Sequence, residues 1–212
     1  MEPIRYRLNP NGGTHALLVR LVPSGSRVLD VGCAGGYLGE LLSAKGCSLV
    51  GVDVDGDSVA RARSSGAYRE VHRLDIDSES LPFEPQTFDV VLCADVLEHL
   101  RDPHGALCRL CGLISDGGSI VVSLPNVAHF SIRFQLLLGR FRYSESGILD
   151  RTHLHLFTYE SAIRLLTSAN LAVRRVLAGS NRFGNWLSFG PSPIRRLRGL
   201  LAFNIVIVAT PR

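Results

Sequence analysis

The stretch RVLDVGCAGGYLGELL, residues 27–42, decides the fold class. It opens on a short apolar run interrupted by one acid, Asp30, which reads as a strand. It closes on apolar residues at helical spacing, and between the two lies a turn holding Gly32, Gly35 and Gly36. Working outward, the same alternation continues. SLVGVD (48–53), EVHRLD (70–75), FDVVLCAD (88–95) and SIVVSLP (119–125, stopped by Pro125) read as strands. YLGELLSAKG (37–46), DSVARARSSG (57–66) and PHGALCRLCGLI (103–114) read as helices, with a turn at Asp116-Gly117-Gly118. Strands alternating with crossover helices build a parallel sheet covered on both faces.

Beyond residue 125 the rhythm breaks. A stretch rich in aromatics and histidines (126–158) precedes a helix near 159–169. LAVRRVLAG (171–179) and FNIVIVAT (203–210) read as two further strands, joined by a loop or short helix over 180–202. At 212 residues, with 46% hydrophobic and 20% charged side chains, one α/β domain with a sizeable core is expected and a second is not.

The charge pattern argues against a nucleic-acid partner. The net charge of +4 is spread thinly, apart from Arg174-Arg175 and the Arg195, Arg196, Arg198 cluster. The opening residues lack the apolar core of a signal peptide, and no apolar run approaches the ~20 residues of a membrane span, so a cytoplasmic protein is expected. For the basic and apolar C-terminal run, peripheral contact with anionic lipid stays open beside a plain loop. Cys108 and Cys111 fall in a helical run without a second cysteine or histidine pair, which favours packing over metal binding.

Chemistry concentrates at the strand ends. A glycine turn at the C-terminal end of a first strand is where open α/β sheets bind nucleotides. Asp53, 23 residues after Asp30, stands where a carboxylate meets the ribose of a nucleoside. A dinucleotide fingerprint starting at Gly32 would need glycine at 34 and 37, where the chain has Ala34 and Tyr37, and a P-loop lacks its Gly-Lys-Ser/Thr. Asp30 would repel a pyrophosphate but suits a ligand bearing an ammonium and a sulfonium.

VLDVGCAGGYLGELL, GVDVD, LDIDSESLPFEPQTFDVVLCADVLEHLRDP and DGGSIVVSLPN together resemble the class I S-adenosylmethionine-dependent methyltransferases, in particular the UbiG- and MetW-like small-molecule enzymes. The resemblance covers roughly residues 14–126 and departs at Ala34, where the family often has glycine. It implies a Rossmann-like, seven-stranded, mostly parallel sheet with helices on both faces and the last strand antiparallel. It further implies that Asp30 and the turn Gly32, Cys33, Ala34, Gly35, Gly36 and Tyr37 hold the methionine part of S-adenosylmethionine. Asp53 would grip the ribose and Val54 the adenine. Asp75 and Ile76 would meet the adenine amino group and ring, and Asp95 and Val96 would line the pocket beyond. S-adenosylhomocysteine would be the product.

The acceptor side is read from DRTHLHLFT (150–158). Thr158 looks like a helix N-cap, and an extended 153–157 would turn His153, His155 and Phe157 to one face and Leu154 and Leu156 to the other. His153 is the candidate general base or acceptor-positioning group, with His155 and Asp150 behind it, and His99 stands at the pocket mouth or at the start of a helix. No metal is expected. O-methylation of a sugar or glycan hydroxyl leads, a quinone-type phenol follows, and a non-catalytic cofactor-binding partner is the third reading. The segment 126–158 would form a lid over the acceptor, or a contact in a homodimer.

Overall fold

A computed structural model of the chain describes residues 13–179 and 199–212. Helix α1 (Gly13–Leu21) comes first and has no counterpart in the sequence reading. The order continues β1 (Arg27–Val31), α2 (Tyr37–Ser43), β2 (Ser48–Asp53), α3 (Gly56–Ser64), β3 (Glu70–Arg73) and β4 (Phe88–Ala94). After a 3-10 turn (Leu97–His99) follow α4 (Pro103–Cys111), β5 (Ile114–Pro125), α5 (Phe130–Leu137), α6 (Tyr159–Ser168), β6 (Leu171–Gly179) and β7 (Asn204–Pro211).

The seven strands form one sheet in the order β3-β2-β1-β4-β5-β7-β6, with β7 antiparallel to both its neighbours and the other pairings parallel. The expected fold class is the one observed. Its helices cover both faces because the strands bury both. On β4, Val90 and Leu92 point into the core shared with Leu18 of α1 and Leu38 and Leu42 of α2. Val91 and Cys93 point into the other core, with Leu107 of α4 and Leu166 of α6. Burying such a Leu or Val contributes roughly 1.5–3 kcal/mol.

The helices read over 37–46, 57–66 and 103–114 end earlier than expected, and two strand boundaries also differ from the sequence reading. The third strand stops at Arg73, so Asp75 sits in a turn rather than at a strand end. Strand β5 begins at Ile114, and Asp116-Gly117-Gly118 is a bulge inside it, since pairing jumps from Phe88↔Ile114 to Val90↔Ser119. Gly117, at φ 76°, allows that excursion.

The order places the site. The chain runs from β1 outward to β3, then returns to β4 on the other side of β1, so the connections leave the C-terminal ends of β1 and β4 in opposite directions and open a crevice between them. The segment 126–158 stands over this end. It is tied back by a bridge between Asn126 and Phe157 and by a small core of Ile132, Ile148 and Leu149. Of the expected loop or short helix over 180–202, residues 180–198, with the Arg195, Arg196, Arg198 cluster, lie outside the described residues. Among the described residues no helix is long and apolar enough to cross a membrane.

Candidate functional site

The glycine turn is built by its backbone. Gly32 (φ 69°), Ala34 (φ 48°) and Gly36 (φ 88°) all occupy the left-handed region. That conformation is free for glycine and costs a residue with a Cβ roughly 1–2 kcal/mol, so Ala34 stands where the chain departs from the family's glycine and carries the strain. A hydrogen bond offsets it. The Ala34 N–H donates to Asp53 Oδ2 at 2.8 Å, and Asp53 Oδ1 accepts from Asp55 N at 2.9 Å. The amides of Gly32 and Cys33 both donate to the Val52 carbonyl. The ends of β1 and β2 are therefore one unit, with the Asp53 carboxylate between them.

Asp30 lies beneath this turn rather than in the open crevice. It is 1% exposed, and its Oδ2 accepts the Tyr68 hydroxyl at 2.6 Å. Burial pushes its pKa up to about 7, with the Tyr68 bond opposing and the Asp53 charge adding. Because the folded value exceeds the unfolded one, ionisation costs stability as pH rises through the interval from 3.8 to about 7. Asp30→Asn removes that charge, so chemical denaturation should find the variant level with the parent near pH 4. Its advantage should grow to a few kcal/mol, at most about 4, above pH 7. A pH-independent difference would refute the assignment.

Of the remaining cofactor candidates, Cys33 is buried and Tyr37 opens α2 with its ring 5.3 Å from that of His15. A Cβ on Gly35 would meet the Arg61 side chain, and one on Gly36 the backbone of Ala62, so both glycines let α3 approach. Val54 is largely exposed beyond β2. Asp75 closes a turn, accepting from Asp77 N and Ser78 Oγ, bonds that hold its pKa low. Ile76 is buried, its carbonyl held by Arg109. Val96 packs on Gly32. Asp95 (φ 54°) accepts from Ser123 Oγ at 2.8 Å and Asn204 Nδ2 at 2.7 Å, which ties the end of β4 to β5 and β7.

The segment 150–158 shows the expected alternation, but its polar side chains take different partners. His153 and His155 are half-buried and Phe157 buried, while Leu154 and Leu156 are exposed, so the 153–157 alternation holds. Thr158 caps α6 in a reciprocal box with Ser161. His153 Nδ1 lies 3.1 Å from the Ile148 carbonyl, and its ring meets His99 edge to face, with centroids 4.8 Å apart. His155 turns instead to the Arg101 carbonyl at 3.4 Å. Asp150 accepts from the Thr152 amide and hydroxyl. Burial raises its pKa, but these bonds and the neighbouring imidazoles outweigh it and the net shift is downward. Beside them an open cavity of about 530 Å³ is lined by Arg142, Tyr143, Arg151 and His153.

Glu98 escaped the sequence reading, which singled out only His99 from the same LEHL run. It is 0% exposed, and its carbonyl accepts the amides of both Leu154 and His155, pinning the histidine segment to the end of β4. Among the described residues its two carboxyl oxygens have no hydrogen-bond partner. Burial and the charges of Asp95 and Asp150 drive its pKa well above the usual carboxylate range. The available signal was an acid one turn past a strand's C-terminal end. Among the cysteines, Cys33, Cys47 and Cys93 are buried and Cys111 lies 3.6 Å from the Ala169 carbonyl, but Cys108 is exposed, so the packing expected of it is not found.

Comparison with known proteins bears on the family and the fold. The ubiquinone biosynthesis O-methyltransferase of Xylella fastidiosa (strain 9a5c) is 34% identical over 110 residues, 50% of this chain and 45% of that protein. Its namesake in Pseudomonas putida (strain W619) is 35% identical over 112 residues, 50% and 47% of the two chains. The chain thus spans about half the length of the curated relatives it matches. An S-adenosylmethionine-dependent methyltransferase from Mesorhizobium loti superposes with a TM-score of 0.63 at 17% identity, covering 92% of this chain and 95% of that one. The cyclase SpnF superposes with a TM-score of 0.64 at 18% identity, covering 93% and 80%. The fold alone therefore does not fix the reaction. The family profile described as a methyltransferase domain matches residues 6–176, and with that match the chain belongs to the methyltransferase-domain family.

Proposed function

We propose that this chain transfers the methyl group of S-adenosylmethionine to a hydroxyl of a small acceptor and releases S-adenosylhomocysteine. The observation that carries the reading is the Asp53 carboxylate, bonded to the Ala34 amide across a glycine turn at the point where the strand order reverses. A carboxylate so placed accepts hydroxyl donors from a ribose, and the buried Asp30 beneath supplies negative field under an ammonium and a sulfonium.

Methyl transfer from a sulfonium is an in-line displacement, and holding acceptor oxygen, methyl carbon and sulfur in line supplies most of what the reaction needs. The bond from acceptor oxygen to carbon forms as the sulfur–methyl bond breaks, and the sulfur keeps the electron pair. The acceptor hydroxyl must also lose its proton. His153, on the cavity wall, is the residue that meets this hydroxyl, with Asp150 and His155 holding the segment around it. The names of the relatives favour a phenolic acceptor over the sugar hydroxyl suggested by residues 150–158. Tyr143, Arg142 and Arg151 offer a ring and two cations to a phenol bearing an anionic group. Helix α5, with Phe134 and Leu137 exposed, belongs to this side as a lid or as a contact between two copies.

Two measurements test this. Calorimetric titration should show one equivalent of S-adenosylmethionine bound, and S-adenosylhomocysteine release should be fastest with catechols and other phenols in a panel that includes sugars. No binding would sink the reading. Binding with no release across the panel would favour a cofactor-holding partner protein over an enzyme.

A further inference from the structure

Glu98, His99 and His153 converge at the mouth of the crevice, with one potential ligand atom of each within 4.8 Å of the other two. We propose that these three residues hold a divalent first-row transition ion, with its remaining coordination positions open toward the acceptor cavity.

Four observations support it. The Glu98 side chain is fully buried and, among the described residues, neither carboxyl oxygen has a partner, so a buried polar group is left unsatisfied there unless an ion meets it. Both imidazoles hold the tautomer that a metal ligand needs. A backbone carbonyl can only accept, so His153 Nδ1 near Ile148 O (3.1 Å) and His99 Nδ1 near Thr152 O (3.2 Å) carry their protons. Each ring is left with an Nε2 lone pair to donate. The orientation of His99 is itself backed up, since the Thr152 hydroxyl that lies 3.1 Å from Nδ1 donates in turn to Asp150 Oδ1. Finally, Asp150, whose carboxylate accepts the Thr152 amide and hydroxyl, adds negative charge beside the two imidazoles, so the place favours a cation.

The donor set selects the class of ion. Two imidazoles and one carboxylate suit Zn²⁺, Co²⁺, Mn²⁺ or Fe²⁺ better than Mg²⁺ or Ca²⁺, which prefer oxygen alone. Three protein ligands with an open side is the arrangement of a catalytic rather than a structural site. His153 borders the cavity, so an acceptor hydroxyl can enter the open position, where the ion lowers its pKa and the proton leaves to solvent. His153 then works as a ligand and not as a free base, which departs from the expectation that the site holds no metal. This role rests on the methyl-transfer reading, whereas the binding does not.

Full-length protein stripped with a chelator and titrated with Co²⁺ should take up one equivalent and develop visible d–d absorption. His99→Ala and His153→Ala should each weaken uptake at least tenfold, and Glu98→Gln, which keeps the shape of the buried side chain, should do the same while remaining folded. Absence of saturable uptake, or unchanged uptake in the His99→Ala/His153→Ala double variant, would overturn the site. Because Co²⁺ uptake is read without methyl donor or acceptor, it stands or falls separately from methyl transfer. Mg²⁺ in excess should fail to displace Co²⁺, and ready displacement would overturn the assignment of the ion.

Discussion

Asp53→Ala is expected to raise the dissociation constant for S-adenosylmethionine at least ~100-fold, with the far-ultraviolet circular dichroism unchanged. Hydrogen bonds to a charged acceptor are worth about 1.5–3 kcal/mol each, and two hydroxyls of one ribose can use this carboxylate. About 3 kcal/mol corresponds to roughly two decades in affinity. The same oxygens restrain Ala34 in its left-handed conformation and hold the Asp55 amide at the head of α3, so the variant also loosens the turn that must meet the cofactor. Asp53→Asn separates the two contributions. It keeps an acceptor for one amide and gives up the charge, and should fall between parent and alanine variant in calorimetry. Affinity within threefold of the parent for Asp53→Ala would remove Asp53 from the cofactor site.

Gly32→Ala should be the most destabilising single substitution in the turn. At φ 69° a methyl costs roughly 1–2 kcal/mol, and the added carbon would stand 2.5 Å from Val96 Cγ2. Forcing Val96 aside adds the usual overpacking cost of about 1–3 kcal/mol. Urea midpoints should therefore report a loss of about 2–5 kcal/mol. Val96→Ala in the same background should restore the steric part and leave the backbone part, giving a coupling of about 1–3 kcal/mol in a double-mutant cycle. Strict additivity of the two changes would mean that Val96 does not set the requirement for glycine.

The segment from Arg27 to Leu42 settled the fold class because apolar run, glycine turn and helical periodicity are local patterns, and an apolar strand buried on both faces cannot avoid a helix on each side. The acid at the end of each of the first two strands was equally readable, since strand ends are where such sheets bind ligands. The alternation that turned His153, His155 and Phe157 inward also needed only a period of two. What the chain's order could not give was which strand ends become neighbours. Asp53 meets the Ala34 amide because β1 and β2 pair in register, and Asp30 is sealed because Tyr68 folds across it from 38 residues away. Glu98 is the clearest case. In sequence it is one acid in a polar turn, indistinguishable from a solvated one. The return of residues 148–155 over the end of β4 packs on it, its oxygens are left unpartnered among the described residues, and His153 comes beside His99, 54 residues earlier. Periodicity reports which face a side chain takes. Desolvation and the meeting of distant side chains are properties of the folded chain, and here they decide where the acid needing a partner lies.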